Sequence, residues 1–241
     1  MKVELQLPSA WSSPPSSPSL QPGDVHIWRL MLDVSVEPYL ELLQPDEIDR
    51  ANRFHFERDR KRFAIARGFL RELLGRYLQN DPKSLMFSYG AYGKPALNET
   101  SLRFNMSHSG NVALYALTEG REIGVDVEQI RADFTNDDIA RRFFSPVEVE
   151  SLCGLPGEER VDGFFRCWTR KEAYIKATGR GLSQPLDGFD VTLGPGETAA
   201  LLRNDDGTHE RWTMAGIEVG PGYAGAVAVE GRISKIEYWN G

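Results

Sequence analysis

Two stretches of helical apolar spacing, one over Phe63, Ala66, Leu70, Leu73, Leu74 and Tyr77 and one over about 161–178, are each set among short strand-like runs. Those runs lie at 25–32, up to Phe104, at 112–117 and 123–127, and again at 191–193, 199–202, 212–219, 223–229 and 233–239. Strands and helices that mix without strict alternation favour an α+β fold over a doubly wound parallel sheet. Strands followed by a long helix, twice over, suit two similar halves that part near Thr118, although no residue-level repeat accompanies them. At 241 residues the chain is long enough for one large domain or two small ones.

Before the first strand, 8–22 holds six serines with Pro14, Pro15 and Pro18 and no periodic apolar pattern, so 1–22 reads as a flexible leader. It is not a secretory signal, because Glu4 stands beside Lys2 and no uninterrupted apolar segment follows. The chain then divides into 23–117 and 118–241. Two cysteines, Cys153 and Cys167, are too few for a disulfide scaffold, which fits a reducing cytoplasm. No apolar run is long enough for a membrane span.

The net charge of −7 argues against bulk affinity for nucleic acid or anionic membrane. Between Arg50 and Arg76, however, nine basic side chains face three acidic ones, leaving that segment at +6 and the remainder at −13. This is either a solvated face on a core helix or an anion site. Its aromatics are not displayed as a stacking platform, which disfavours nucleic acid.

The segment Gly124-Val125-Asp126-Val127-Glu128 puts Ile123, Val125 and Val127 on one strand face and both acids on the other. Two such carboxylates can share a hard divalent cation, and Mg²⁺ needs few of them when phosphate oxygens and water complete its shell. An amphipathic strand with a charged outer face gives the same pattern. On the second long helix Trp168, Glu172 and Ile175 share a face and Lys176 lies one turn past Glu172. That is either a surface Glu–Lys pair or a third carboxylate for the cation, with Lys171 and Lys176 neutralising phosphate. His108, between Ser107 and Ser109 on what reads as a polar loop over 105–111, and Lys94 in a Gly-Lys-Pro turn could contact phosphates. Ser145-Pro146-Val147-Glu148 has the N-cap, N1 and N3 residues of a helix start. No Walker loop, His-Glu-x-x-His or Gly-x-Ser-x-Gly is present, and the inventory points to phosphoryl-type chemistry.

In order, Tyr92-Gly93-Lys94-Pro95, Phe104-Asn105-Met106-Ser107-His108-Ser109, Ile123 to Glu128, Arg142-Phe143-Phe144-Ser145 with Glu148, and Trp168-Thr169-Arg170-Lys171-Glu172-Ala173 through Lys176 to Gly181-Leu182-Ser183 resemble the motif series of the Sfp-type 4'-phosphopantetheinyl transferases. The resemblance runs from about Arg50 to Asp190, with Pro221-Gly222-Tyr223 similar to that family's C-terminal strand. It implies a monomer of two pseudo-symmetric subdomains, each a small mostly antiparallel sheet packed with a long helix. Coenzyme A and Mg²⁺, or Mn²⁺ in its place, would lie at their junction. The implied reaction, a holo-[acyl-carrier-protein] synthase activity, moves phosphopantetheine from coenzyme A to a serine of an apo acyl or peptidyl carrier protein and releases 3',5'-ADP.

By position, Asp126, Glu128 and Glu172 would be metal ligands. Glu172 would also be general base, directly or through water, and Lys176 would contact the pyrophosphate. His108 and Lys171 would bind coenzyme phosphates, with Lys94, Ser107 and Arg62 completing the nucleotide pocket and Arg50 near the 3'-phosphate. Arg53 would serve either there or structurally. Two features depart from the pattern: the leader lies outside it, and Val127 between the strand acids cannot ligate, so the third ligand falls to Glu172. The alternatives are a silent coenzyme A-binding homologue and a basic module for acidic helices, but all three acids and both helix lysines are intact. A carrier dock is expected near 148–153. The motifs and length favour a broad or secondary-metabolic client.

Overall fold

The computed structural model describes residues 11–131 and 137–241. In chain order the elements are β1 (Asp24–Met31), α1 (Glu37–Leu40), α2 (Pro45–Asn52), α3 (Glu57–Leu78), β2 (Phe87–Tyr89), β3 (Pro95–Leu97), β4 (Leu102–Ser109), β5 (Val112–Glu119) and β6 (Ile123–Gln129). They continue as α4 (Asp137–Phe143), α5 (Pro146–Gly154), α6 (Gly157–Thr178), β7 (Phe189–Val191), β8 (Leu201–Asn204), β9 (Trp212–Gly216), β10 (Tyr223–Glu230) and β11 (Lys235–Asn240). The fold is α+β, as expected. The helix expected at 136–144 is seen from Asp137; Asn136 lies outside the described residues.

A four-stranded sheet runs β11-β1-β5-β4 and a three-stranded sheet β6-β10-β9. Alternation along the strands decides what each face covers. Trp28, Leu30, Ala113, Tyr115 and Leu117 turn towards α3 and its buried Ile65, Phe69, Leu70, Leu73 and Leu74. Val25, Ile27, Val112, Leu114 and Ala116 turn the other way and meet Ile123, Val125, Val127, Val227 and Val229 of the second sheet. Ala224, Ala226 and Ala228 form the far face of that sheet, against α6. The order is therefore helix, sheet, sheet, helix.

The helix α6 ends as expected on Gly179 at φ 68°, whereas α3 ends on Gln79, left-handed at φ 53° without a glycine to mark the stop. Ser145 and Glu148 form the expected capping box at the start of α5.

Two expectations are corrected. The polar stretch 105–111 is strand as far as Ser109, because β4 pairs with β5 over all eight of its residues. The leader is not free over 11–22: Ser12 bridges to Trp239, the Trp11 indole donates to Glu218 O at 2.8 Å, and Leu20 packs on the first core. Residues 1–10 of the expected leader lie outside the described residues. Across the division between 23–117 and 118–241, β11 pairs in parallel with β1 and puts Trp239 into the first half's core. No described helix is long and apolar enough to cross a membrane.

Candidate active site

The site lies where edge strand β4 passes edge strand β6 beneath α6. Gly124 allows the approach: a Cβ there would fall 2.1 Å from Ala173 O and 2.3 Å from Ala177 N, so any side chain would push strand and helix apart. With helix and strand this close, Lys176 reaches Asp126. Its Nζ lies 2.6 Å from Asp126 Oδ1 and 2.9 Å from Ser107 Oγ, which donates to the same Oδ1 at 2.8 Å. Asp126 is 2% exposed, and its Oδ2 is buried with no partner. Glu128, two residues on, accepts from Ser109 Oγ at 2.7 Å.

Asp126 has Lys176 as counter-ion, whereas Glu172 and Glu128 are short of compensating charge. Burial, reinforced by Asp126 and Glu128, pushes Glu172 up to about 7. Burial and Asp126 also raise Glu128, against the Ser109 hydrogen bond. Among the described residues no three His, Cys, Asp or Glu side chains already converge on a point that could hold a metal ion. The donor set nonetheless fits a hard divalent cation. All donors are carboxylate oxygens, one is buried and unpartnered, and mutual repulsion is what a cation would relieve.

Beside the acids, a cavity of about 260 Å³ opens among α2, α3 and β4, lined by Arg50, Phe54, Phe63, Tyr89, Met106 and His108. Arg50 stacks over the Phe63 ring at 5.4 Å. His108 points away from Ser107 by strand alternation and stands at the cavity wall. Partial withdrawal of the ring from water, then the Lys176 and Arg62 charges, holds its pKa below the ordinary value although much of the side chain is exposed. Arg62 donates to Asn111 Oδ1 beside it. A larger cavity, about 490 Å³, lies between α6 and the β9–β10 connection and includes none of the three acids.

The structure thus brings Asp126, Glu128, Glu172, Lys176, Ser107 and His108 together, with Arg50 on the cavity wall and Arg62 near His108 but outside the cavity lining. Two expected phosphate ligands are elsewhere. Lys171 is 0% exposed, and its Nζ is used up by Glu148 Oε2 at 2.7 Å and by Leu186 O and Phe189 O at 2.6 Å each. It faces the core under α5 rather than the acid cluster, and cannot meet a coenzyme phosphate. Lys94 is held by Glu122 Oε2 at 2.8 Å and by Ile123 O and Ala177 O at 3.0 Å, so it staples β6 to the end of α6. Only its neighbours Gly93 and Pro95 line the cavity. Arg53, at the end of α2, is exposed and outside the cavity lining. Glu148, expected on a docking rim, is buried.

The residue that sequence reasoning passed over is Ser109. Its signal was the two-residue spacing from Ser107, which matters only once the segment is seen to be a strand.

The 4'-phosphopantetheinyl transferase superfamily model matches residues 122–228, and the 4'-phosphopantetheinyl transferase N-terminal model matches residues 32–119. The chain is similar to the 4'-phosphopantetheinyl transferase HetI of Nostoc sp., at 39% identity over 97% of this chain and 99% of that protein. It is also similar to the 4'-phosphopantetheinyl transferase Sfp of Bacillus subtilis, at 32% identity over 79% of this chain and 84% of that protein.

Proposed function

The chain belongs to the 4'-phosphopantetheinyl transferase family, and from that membership and the acid seam beneath α6 we propose that it moves the phosphopantetheine arm of coenzyme A onto a serine of an apo carrier protein. The observation that carries this reading is the meeting of Asp126, Glu128, Glu172 and Lys176 beside a cavity walled by Arg50 and His108.

Arg50 and Arg62 supply positive charge for the nucleotide phosphates, with the Phe63 and Phe54 rings as apolar wall. His108 donates to the pyrophosphate, and Lys176 meets the charge that develops on the departing 3',5'-ADP. Asp126, Glu128 and Glu172 would hold Mg²⁺, or Mn²⁺ in its place. When bound, the cation supplies charge neutralisation at the pyrophosphate. Glu172 would also take the proton of the incoming serine hydroxyl, directly or through water. In that step the serine Oγ–P bond forms, the P–O bond to 3',5'-ADP breaks, and the hydroxyl proton passes to the carboxylate. Two unpaired cysteines suit action in a reducing cytoplasm. The proposed form is a monomer, and the proposed clients are peptidyl or acyl carriers of secondary metabolism.

The test is intact-protein mass spectrometry of an apo carrier incubated with the enzyme, coenzyme A and Mg²⁺, beside an EDTA control. The carrier should gain one phosphopantetheinyl unit, and EDTA should abolish the gain. Asp126→Ala should lose about 10²-fold or more in turnover. Turnover at the wild-type rate in that variant would remove Asp126 from the site, and coenzyme A binding with no gain on any carrier would favour a silent homologue.

A further inference from the structure

We propose that Ser107 and Ser109 are positioning residues for the two strand acids, forming a hydroxyl ladder that fixes Asp126 and Glu128 in the orientation that receives a divalent cation. The inference rests on the reading above, in which those acids hold the cation.

The ladder follows from period and register. On β4 alternate side chains share a face, so Ser107 and Ser109 point one way and His108 the other. Beside β4, β6 runs in the same sense, with Asn105 Oδ1 taking the Val125 N–H at 2.9 Å, Ser107 opposite Asp126 and Ser109 opposite Glu128. The Ser-His-Ser tripeptide therefore serves two sites, with hydroxyls to the acids and imidazole to the nucleotide cavity.

The direction of both hydroxyl protons is determined. An ammonium can only donate, so Ser107 Oγ accepts from Lys176 at 2.9 Å and its single proton goes to Asp126 Oδ1 at 2.8 Å. Ser109 Oγ accepts the Gln129 N–H at 3.1 Å, and its single proton goes to Glu128 Oε2 at 2.7 Å. Each rung ties one oxygen of a carboxylate, and in Asp126 the other oxygen is left buried without a partner. Ser107 thus acts on Asp126 and Lys176 rather than on the nucleotide. Without a rung, a carboxylate that must meet a cation has first to be reoriented from a freer rotamer distribution, and the affinity falls.

The experiment measures Mn²⁺ binding to the full-length protein saturated with coenzyme A, read by the electron paramagnetic resonance signal of free Mn²⁺. Ser109→Ala should raise the Mn²⁺ Kd about tenfold, Ser109→Thr, which keeps the hydroxyl, should stay near wild type, and Ser107→Ala should weaken Mn²⁺ by a comparable factor. KM for coenzyme A at saturating Mg²⁺ should change little in Ser109→Ala. An unchanged Mn²⁺ Kd in both alanine variants, while Asp126→Ala loses Mn²⁺, overturns the ladder and leaves the cation reading standing. A raised KM for coenzyme A with unchanged Mn²⁺ Kd also overturns it, by making the serines nucleotide contacts. If the wild-type complex itself holds no Mn²⁺, the ladder and the cation reading fall together.

Discussion

Glu172 carries the tension of the site at the scale of one residue. Burial and two neighbouring carboxylates raise it from 4.5 to about 7, so the folded chain holds this proton more tightly than the unfolded one. By linkage, its contribution to stability is fully present below pH 4.5 and is lost as pH rises through about 7. In EDTA, the Tm of Glu172→Gln relative to wild type should therefore climb between those two pH values and level off above. A difference that stays flat across the range would show that Glu172 has no such strain. The strand acids were legible in the alternation of 123–128, because period two needs only local sequence. Ser109 was not, because a run of Asn, Ser, His and Gly has turn-like composition, and only its pairing with β5 makes it strand.

Among the elements, the starts of α2 and α5 share a design. Each has a glutamate at N3 that closes a capping box, Glu47 on Gln44 and Glu148 on Ser145. Each glutamate also reaches the long helix that follows. Glu47 accepts from Arg67 and, at 2.6 Å, from Arg71 of α3; Glu148 takes Lys171 of α6 at 2.7 Å. One carboxylate thus satisfies helix-end N–H groups and neutralises a buried cation, which fixes the short helix against the long one. Lys171→Met should cost about 3–5 kcal/mol in urea unfolding, because it strands Glu148 uncompensated in the core. It should leave KM for coenzyme A unchanged where the variant is folded; a raised KM with undiminished stability would return Lys171 to the phosphates. The capping box could be read from Ser-Pro-Val-Glu, since its partners are three residues apart. The ion pair could not, since its members are separated by most of two helices.

For the whole molecule, the returning strand joins what the sequence divides. Trp239 of β11 packs edge-on to Trp28 at 5.0 Å and to His26 at 4.5 Å, inside the first half's core. The 11–22 segment closes over the same edge, with Trp11 beneath the Arg29 guanidinium at 4.4 Å and bonded to the β9–β10 connection. With the sheets stacked through a shared core, the halves should unfold as one unit. Trp239→Ala should cost about 3–5 kcal/mol and shift far-UV circular dichroism and tryptophan fluorescence together. Two separated transitions would mean that the second half stands alone. By itself the sequence determined the α+β class, the start of α5, the end of α6 and the face on which Asp126 and Glu128 emerge, because each rests on spacings within a single element. Only the tertiary structure decided that β11 belongs to the first sheet, that Lys171 is buried, and that two serines of β4 hold the acids of β6. Each of these follows from where distant segments meet, and that depends on the packing of the whole chain.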